Sequence, residues 1–210
     1  QESAVKKYAV EKKLTILQPE KLKAPDFLNQ LRELKADLQI VVAFRMLPEV
    51  VWNMPRLVTI NLHGSLLPQY RGAAPINWTI INGETETGAT TFFLKHEIDT
   101  GDILFAQPIT IEADETAGDL HDKLMIAGAE LLVKTVKAIE SGDYKEIPQE
   151  EMGIQKPEVE ALNSKSEIEN PKSEILHHAP KIFKEDCEID WTKPVQQVYS
   201  LIRGLSRYPT

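Results

Sequence analysis

The chain has 210 residues, 42% of them hydrophobic and 27% charged, and a net charge of −8. These are ordinary globular values, with room for one sizeable α/β core and part of a second. The acidic balance argues against a general nucleic-acid coat, and a single cysteine, Cys187, excludes an internal disulfide and any multi-cysteine zinc site.

The first 35 residues hold eight Lys/Arg against five acids, a local balance of +3 on a body of −11. That basic start suits an RNA contact or a solvated helix face equally. Val5 to Leu14 reads as a helix, Thr15 to Leu17 as a short strand, and Asp26 to Leu34 as a second helix with Asp26 as its N-cap. The β-branched run Asp37 to Ala43 is of strand length and predicts a strand buried on both faces. Leu57 to Leu62 and Gly88 to Leu94 are two further strand candidates. Pro75 to Ile81 predicts a helix with proline in its first turn. Thr116 to Glu140 predicts the clearest helix, with a capping box from Thr116 and Asp119 and a glycine stop at Gly142. Residues 149–178 turn polar and read as a surface excursion, with His177 and His178 solvated at its end.

Helix–strand alternation is the pattern of a doubly wound α/β sheet. Such a sheet normally opens with a strand. This chain opens with a helix, so the reading starts inside a domain. No apolar run approaches the roughly 20 residues that cross a bilayer. No signal segment is visible, and a cytoplasmic protein is expected.

One segment carries chemistry: Asn61-Leu-His-Gly-Ser-Leu-Leu-Pro-Gln-Tyr-Arg-Gly-Ala-Ala-Pro75, directly after the strand candidate at Val58 to Ile60. Ligands of α/β sheets gather at carboxyl ends of strands. In extended backbone Asn61 and His63 share a face, with Leu62 turned away. An amide and an imidazole together suit oxyanion stabilisation and proton handling, although an Asn-x-His pair alone is equally well a locally satisfied histidine. A second segment, His96-Glu-Ile-Asp-Thr-Gly-Asp-Ile-Leu104, follows the next strand candidate. Asp99 and Asp102 there read as turn formers around Gly101.

Taken together, Asn-x-His, Ser-Leu-Leu-Pro, Tyr70-Arg-Gly-Ala-Ala-Pro-Ile-Asn-Trp78, Ile189-Asp-Trp191 and Ile202-Arg-Gly-Leu-Ser206 resemble the methionyl-tRNA formyltransferases, within the formyltetrahydrofolate-dependent formyltransferase family. The resemblance runs over nearly the whole chain. It implies a Rossmann-like α/β fold with a mostly parallel sheet, without its first strand and ending at the linker to an absent C-terminal β-barrel domain. Residues 1–186 would be the catalytic domain and 187–210 the linker and start of the next. It implies Asn61, His63 and Asp99 as the catalytic set, with Asn61 and His63 donating to an oxyanion and Asp99 orienting His63. Ser65, Leu66, Leu67 and Pro68 would contact folate, and Phe44 to Leu47 with Glu97 to Asp99 would line the pterin pocket. Arg71 would serve the tRNA end or the methionine, or fix its loop by an ion pair. The implied co-substrate is 10-formyltetrahydrofolate and the implied partner methionyl-initiator tRNA, with no metal, no membrane and a monomer expected. Two alternatives stand beside this: a formyltransferase acting on another amine, such as that of a nucleotide-sugar, and an inactive folate-binding module.

Overall fold

The computed structural model describes residues 2–42, 46–152 and 176–206. The chain forms two compact units, Gln1–Gln39 with Phe44–Thr59, and Ile40–Ala43 with Ile60–Thr210.

In the first unit, α1 (Ala4–Glu11) starts where the Ser3 hydroxyl accepts from the Lys6 amide at 3.2 Å. No strand forms at 15–17. The second helix, α2 (Pro25–Glu33), begins at proline with Ala24 in the cap position. Asp26 is therefore not the cap. It lies in the first turn, where its charge still favours the helix dipole. A short helix α3 (Glu49–Trp52) buries Val51, and its Trp52 carbonyl accepts from the Thr59 hydroxyl.

Four strands form one sheet in the order β1-β2-β4-β5: β1 (Leu38–Val42), β2 (Val58–His63), β4 (Glu86–Phe93) and β5 (Ile103–Thr110). The α/β class holds, and the sheet is mixed. Its β2–β4 and β4–β5 ladders are antiparallel. Leu94 to Asp102, which joins β4 to β5, is too short to hold the crossover helix that a parallel pairing needs. Burial of β1 on both faces is not met: Val41 is buried, while Ile40 is 43% and Val42 54% exposed. That alternation is the half-buried pattern, which an all-apolar run conceals.

The core of the second unit joins α4 (Pro75–Ile81), β4 and α5 (Ala117–Ser141) through Ile80, Ala89, Leu120, Leu124 and Leu131. Helix α5 follows its sequence signals at both ends: Thr116 and Asp119 form the reciprocal capping box, and Gly142 closes it in a left-handed conformation. A smaller cluster of Leu67, Phe92 and Ile103, with Ile147 against it, lies under the loop after β2.

A short helix, α6 (Gln149–Met152), follows α5, and residues 176–206 return to this unit. The two-residue strands β3 (Arg71–Gly72) and β6 (His178–Ala179) pair in parallel. Helix α7 (Val195–Gly204) packs on α4, where Asn77 Nδ2 donates to the Gly204 carbonyl at 2.8 Å. From α7, buried Arg203 donates through Nη1 to the Glu115 carbonyl at 2.8 Å. Among the described residues no helix is long and apolar enough to cross a membrane.

Candidate active site

The register of β2 on β4 sets the first two side chains: Asn61 lies opposite Phe92 and His63 opposite Thr90. Two residues apart on one strand, they share a face, and both are buried, at 4% and 6% exposure. No hydrogen bond to the Asn61 carboxamide is made among the described residues, which leaves a donor and an acceptor at a buried strand end.

His63 is held at both ring nitrogens. Its Nε2 lies 2.8 Å from the Tyr70 carbonyl. A carbonyl only accepts, so Nε2 carries a proton, and the exchangeable position is Nδ1. Nδ1 faces Asp99 Oδ2 at 3.7 Å, with both side chains less than one-tenth exposed. This is an ion-pair separation, longer than a direct hydrogen bond. Catalytic contacts of this length commonly tighten when a substrate arrives.

The loop between β2 and α4 is built to aim Tyr70. Its backbone is left-handed, with φ 59, which is unusual for a bulky residue. The phenol anchors it: Tyr70 donates to Glu84 Oε1 at 2.6 Å and accepts from Asn82 Nδ2 at 3.1 Å. Its ring stacks on His177 with centroids 5.5 Å apart. Burial, reinforced by the bond to Glu84, pushes the phenol's pKa up, so it stays neutral.

Asp99 reaches the site from a turn rather than a strand, also left-handed at φ 55. Its Oδ2 accepts from the Gly72 amide at 3.0 Å. Gly72 has φ +128, and a Cβ there would stand 2.3 Å from the Ala179 carbonyl oxygen. Only glycine fits this approach of β3 to β6. Gln149 fastens the other side of the turn. Its Nε2 donates to the Asp99 carbonyl at 2.9 Å and the Gly101 carbonyl at 2.7 Å. Its Oε1 accepts from Arg71 Nε at 2.9 Å and Nη2 at 2.6 Å. Arg71 thus fixes its loop, through a neutral amide rather than an ion pair.

Asn61, His63 and Asp99 therefore all belong to one unit and gather at the end of β2. The four candidate folate residues divide into two pairs. Ser65 is fully buried, its hydroxyl donating to the Gln69 carbonyl at 2.6 Å, and Leu67 lies in the cluster with Phe92. Leu66 and Pro68, after a cis bond at Leu67–Pro68, remain half-buried. Asp102 shapes its turn, accepting from Lys95 Nζ at 2.8 Å. His96 and Glu97 are exposed. Phe44 and Arg45, and residues 153–175 of the polar segment, lie outside the described residues. Gln149 and the Tyr70 carbonyl escaped the sequence reading. Neither has a residue-type signal, although apolar Ile147 just before Gln149 pairs with Ile103 and marks chain that is still packed. No group of three or more His, Cys, Asp or Glu that could hold a metal occurs among the described residues.

The profile of the formyl transferase family matches residues 1–136, and that of the formyl transferase C-terminal domain matches residues 181–210. The chain belongs to the formyl transferase family. This formyl transferase chain is 58% identical over 209 residues to a methionyl-tRNA formyltransferase of Bacteroides fragilis and 51% identical over 207 residues to one of Flavobacterium johnsoniae. It aligns over 100% and 99% of its own length and spans 59% of the length of each. Among solved structures, it resembles a 4-N formyltransferase of Francisella tularensis with a TM-score of 0.70 and 23% identity, over 99% of this chain and 74% of that one. HypX of Aquifex aeolicus, solved in complex with tetrahydrofolic acid, gives 0.65 and 22%, over 89% of this chain and 29% of that one. At these identities the formyl transferase fold is what the structural likeness carries.

Proposed function

We propose that this chain is the catalytic part of an enzyme that moves a formyl group from 10-formyltetrahydrofolate to the α-amine of methionyl-initiator tRNA. The observation that carries the reading is the convergence of Asn61, His63 and Asp99 at one buried strand end in a formyl transferase chain. The acceptor rests on the 58% and 51% identity to methionyl-tRNA formyltransferases, against 20% to a sugar N-formyltransferase of Shewanella.

In the reaction, the amine nitrogen bonds to the formyl carbon, the bond from that carbon to the folate nitrogen breaks, and one proton passes from the amine to that folate nitrogen. Negative charge develops on the formyl oxygen as the first bond forms. The Asn61 amide is the donor suited to that oxygen, and one such donor lowers a barrier by about 3 kcal/mol. With Nε2–H committed to Tyr70, His63 acts through Nδ1. There it takes up or returns the amine proton, and the Asp99 carboxylate stabilises the charge this creates. The site is buried, which keeps water from competing with the amine. Leu66 and Pro68 offer the apolar surface for folate, while Ser65 and Leu67 support them from behind. The division at residues 186 and 187 belongs to the same proposal, with the C-terminal-domain match at 181–210 in its favour. A monomer working in the cytoplasm completes it.

The test is formylation by the full-length natural protein with 10-formyltetrahydrofolate and charged initiator tRNA. Activity that requires the initiator tRNA supports the reading. Folate binding without transfer to it would move the assignment to another amine or to a binding module.

A further inference from the structure

We infer that Gln149 is a positioning residue of this active site, which acts by holding Asp99. Its side chain is 1% exposed, yet it opens a segment whose composition is that of a solvated loop. All four hydrogen-bonding positions of its amide are used: two donors go to the Asp99 and Gly101 carbonyls, and the oxygen takes two bonds from Arg71. A buried amide so fully matched has one arrangement, because any rotation leaves buried groups unpaired.

These contacts close a ring. Gln149 ties the Asp99 backbone to Arg71, Arg71 is bonded through the chain to Gly72, and the Gly72 amide returns to the Asp99 carboxylate at 3.0 Å. The carboxylate oxygen that closes the ring is the one that faces His63 Nδ1 at 3.7 Å. The turn that bears it is left-handed, at φ 55, with no strand or helix ladder to hold it. Gly101, the second carbonyl bound by Gln149, is also where a Cβ would stand 1.6 Å from the Phe93 carbonyl oxygen, so the turn presses against β4. Gln149 thus fixes the oxygen that His63 meets from three directions.

The inference rests on Asp99 serving the reaction, and the experiment separates the two. In the full-length natural protein, Gln149→Glu keeps the volume and the acceptor for Arg71 but removes both donors. Its turnover is expected to fall about 10²-fold, the cost of misplacing a reacting group by roughly an ångström. Affinity for 10-formyltetrahydrofolate should stay near wild type, while the thermal midpoint falls, because two buried carbonyls lose their donors. In an Asp99→Asn background, which retains the backbone carbonyl, the same change should cost less than about threefold, because the group it positions is already gone. If Gln149→Glu fails to fold, Gln149→Met, of similar length and uncharged, carries the same comparison. Wild-type turnover in either Gln149 variant overturns the inference. So does an equal loss in both backgrounds, which would mark a residue that merely supports the fold. Wild-type turnover of Asp99→Asn alone would instead overturn the role of Asp99.

Discussion

His63 and Asp99 face each other across 3.7 Å, yet they are held by opposite means. His63 ends a regular strand. Its backbone is paired in the β2–β4 ladder, and only its ring needs a further brace, the Tyr70 carbonyl. Asp99 sits on a turn with a left-handed backbone, a conformation that costs on the order of 1–3 kcal/mol. It is held by single hydrogen bonds from Gly72 and Gln149, each of which typically returns about 1 kcal/mol net. The strand side spreads its support over a ladder, and the turn side concentrates it in a few side chains and one glycine. Removal of one support should therefore be tolerated on the first side and costly on the second.

The largest effect is expected when the acid itself is removed. Asp99→Asn keeps the turn, the Gly72 contact and the shape of the site, but loses the charge facing Nδ1. Turnover should drop by about 10²- to 10⁴-fold with the thermal midpoint nearly unchanged, as read in steady-state formylation and a melting curve. A midpoint that fell along with turnover would show the two sides to be less separable than the geometry implies.

Next comes the joint beneath the turn. In Gly72→Ala the new methyl meets the Ala179 carbonyl at 2.3 Å in a backbone region closed to alanine. The β3–β6 pair must part, with a stability loss of about 3 kcal/mol. Thermal unfolding of the full-length protein checks it, and an unshifted midpoint would mean that the pairing does not hold this end of the chain.

The smallest effect falls on the strand side. Tyr70→Phe leaves the carbonyl that braces His63 but strips Glu84 and Asn82 of a buried partner, for about 1–2 kcal/mol of stability. The change has a pH signature. The phenol's folded pKa lies above its unfolded value of about 10, so its contribution is fully present below pH 10 and is lost as pH rises beyond it. The stability gap between wild type and Tyr70→Phe, read by urea unfolding, should be constant from neutral pH to about 10 and narrow above that. A gap that widened would reverse the sign of the linkage.

The same contrast governs what the sequence makes legible. Repetitive structure carries a periodic or capping signature, so α5 with Thr116, Asp119 and Gly142 was readable to within a residue at either end. The strand with Asn61 and His63 was readable too, because alternation puts both on one face wherever the strand begins. Strand β5 carries no such signature: its half-exposed pattern contains Gln107 and Pro108, which lack a strand's usual composition. Helix α7 lies within 187–210, the stretch that the resemblance assigns to the linker and the start of the next domain, and the string that marks it carries no helix signature of its own. At 149–178 average polarity conceals the buried Gln149. Gln149 owes its place to four hydrogen bonds with three residues, the most distant in sequence being Arg71, and nothing local encodes such pairing. Asp99 enters the proposed set only through the resemblance, since its sequence setting is that of a turn former.

The most direct test of the account is single-turnover formyl transfer by His63→Ala in the full-length natural protein, alongside 10-formyltetrahydrofolate binding by the same variant. The account predicts transfer slowed by at least about 10²-fold with folate affinity retained, because His63 handles the proton rather than the folate. Transfer at a rate near wild type would contradict it and remove the His63–Asp99 pair from the chemistry.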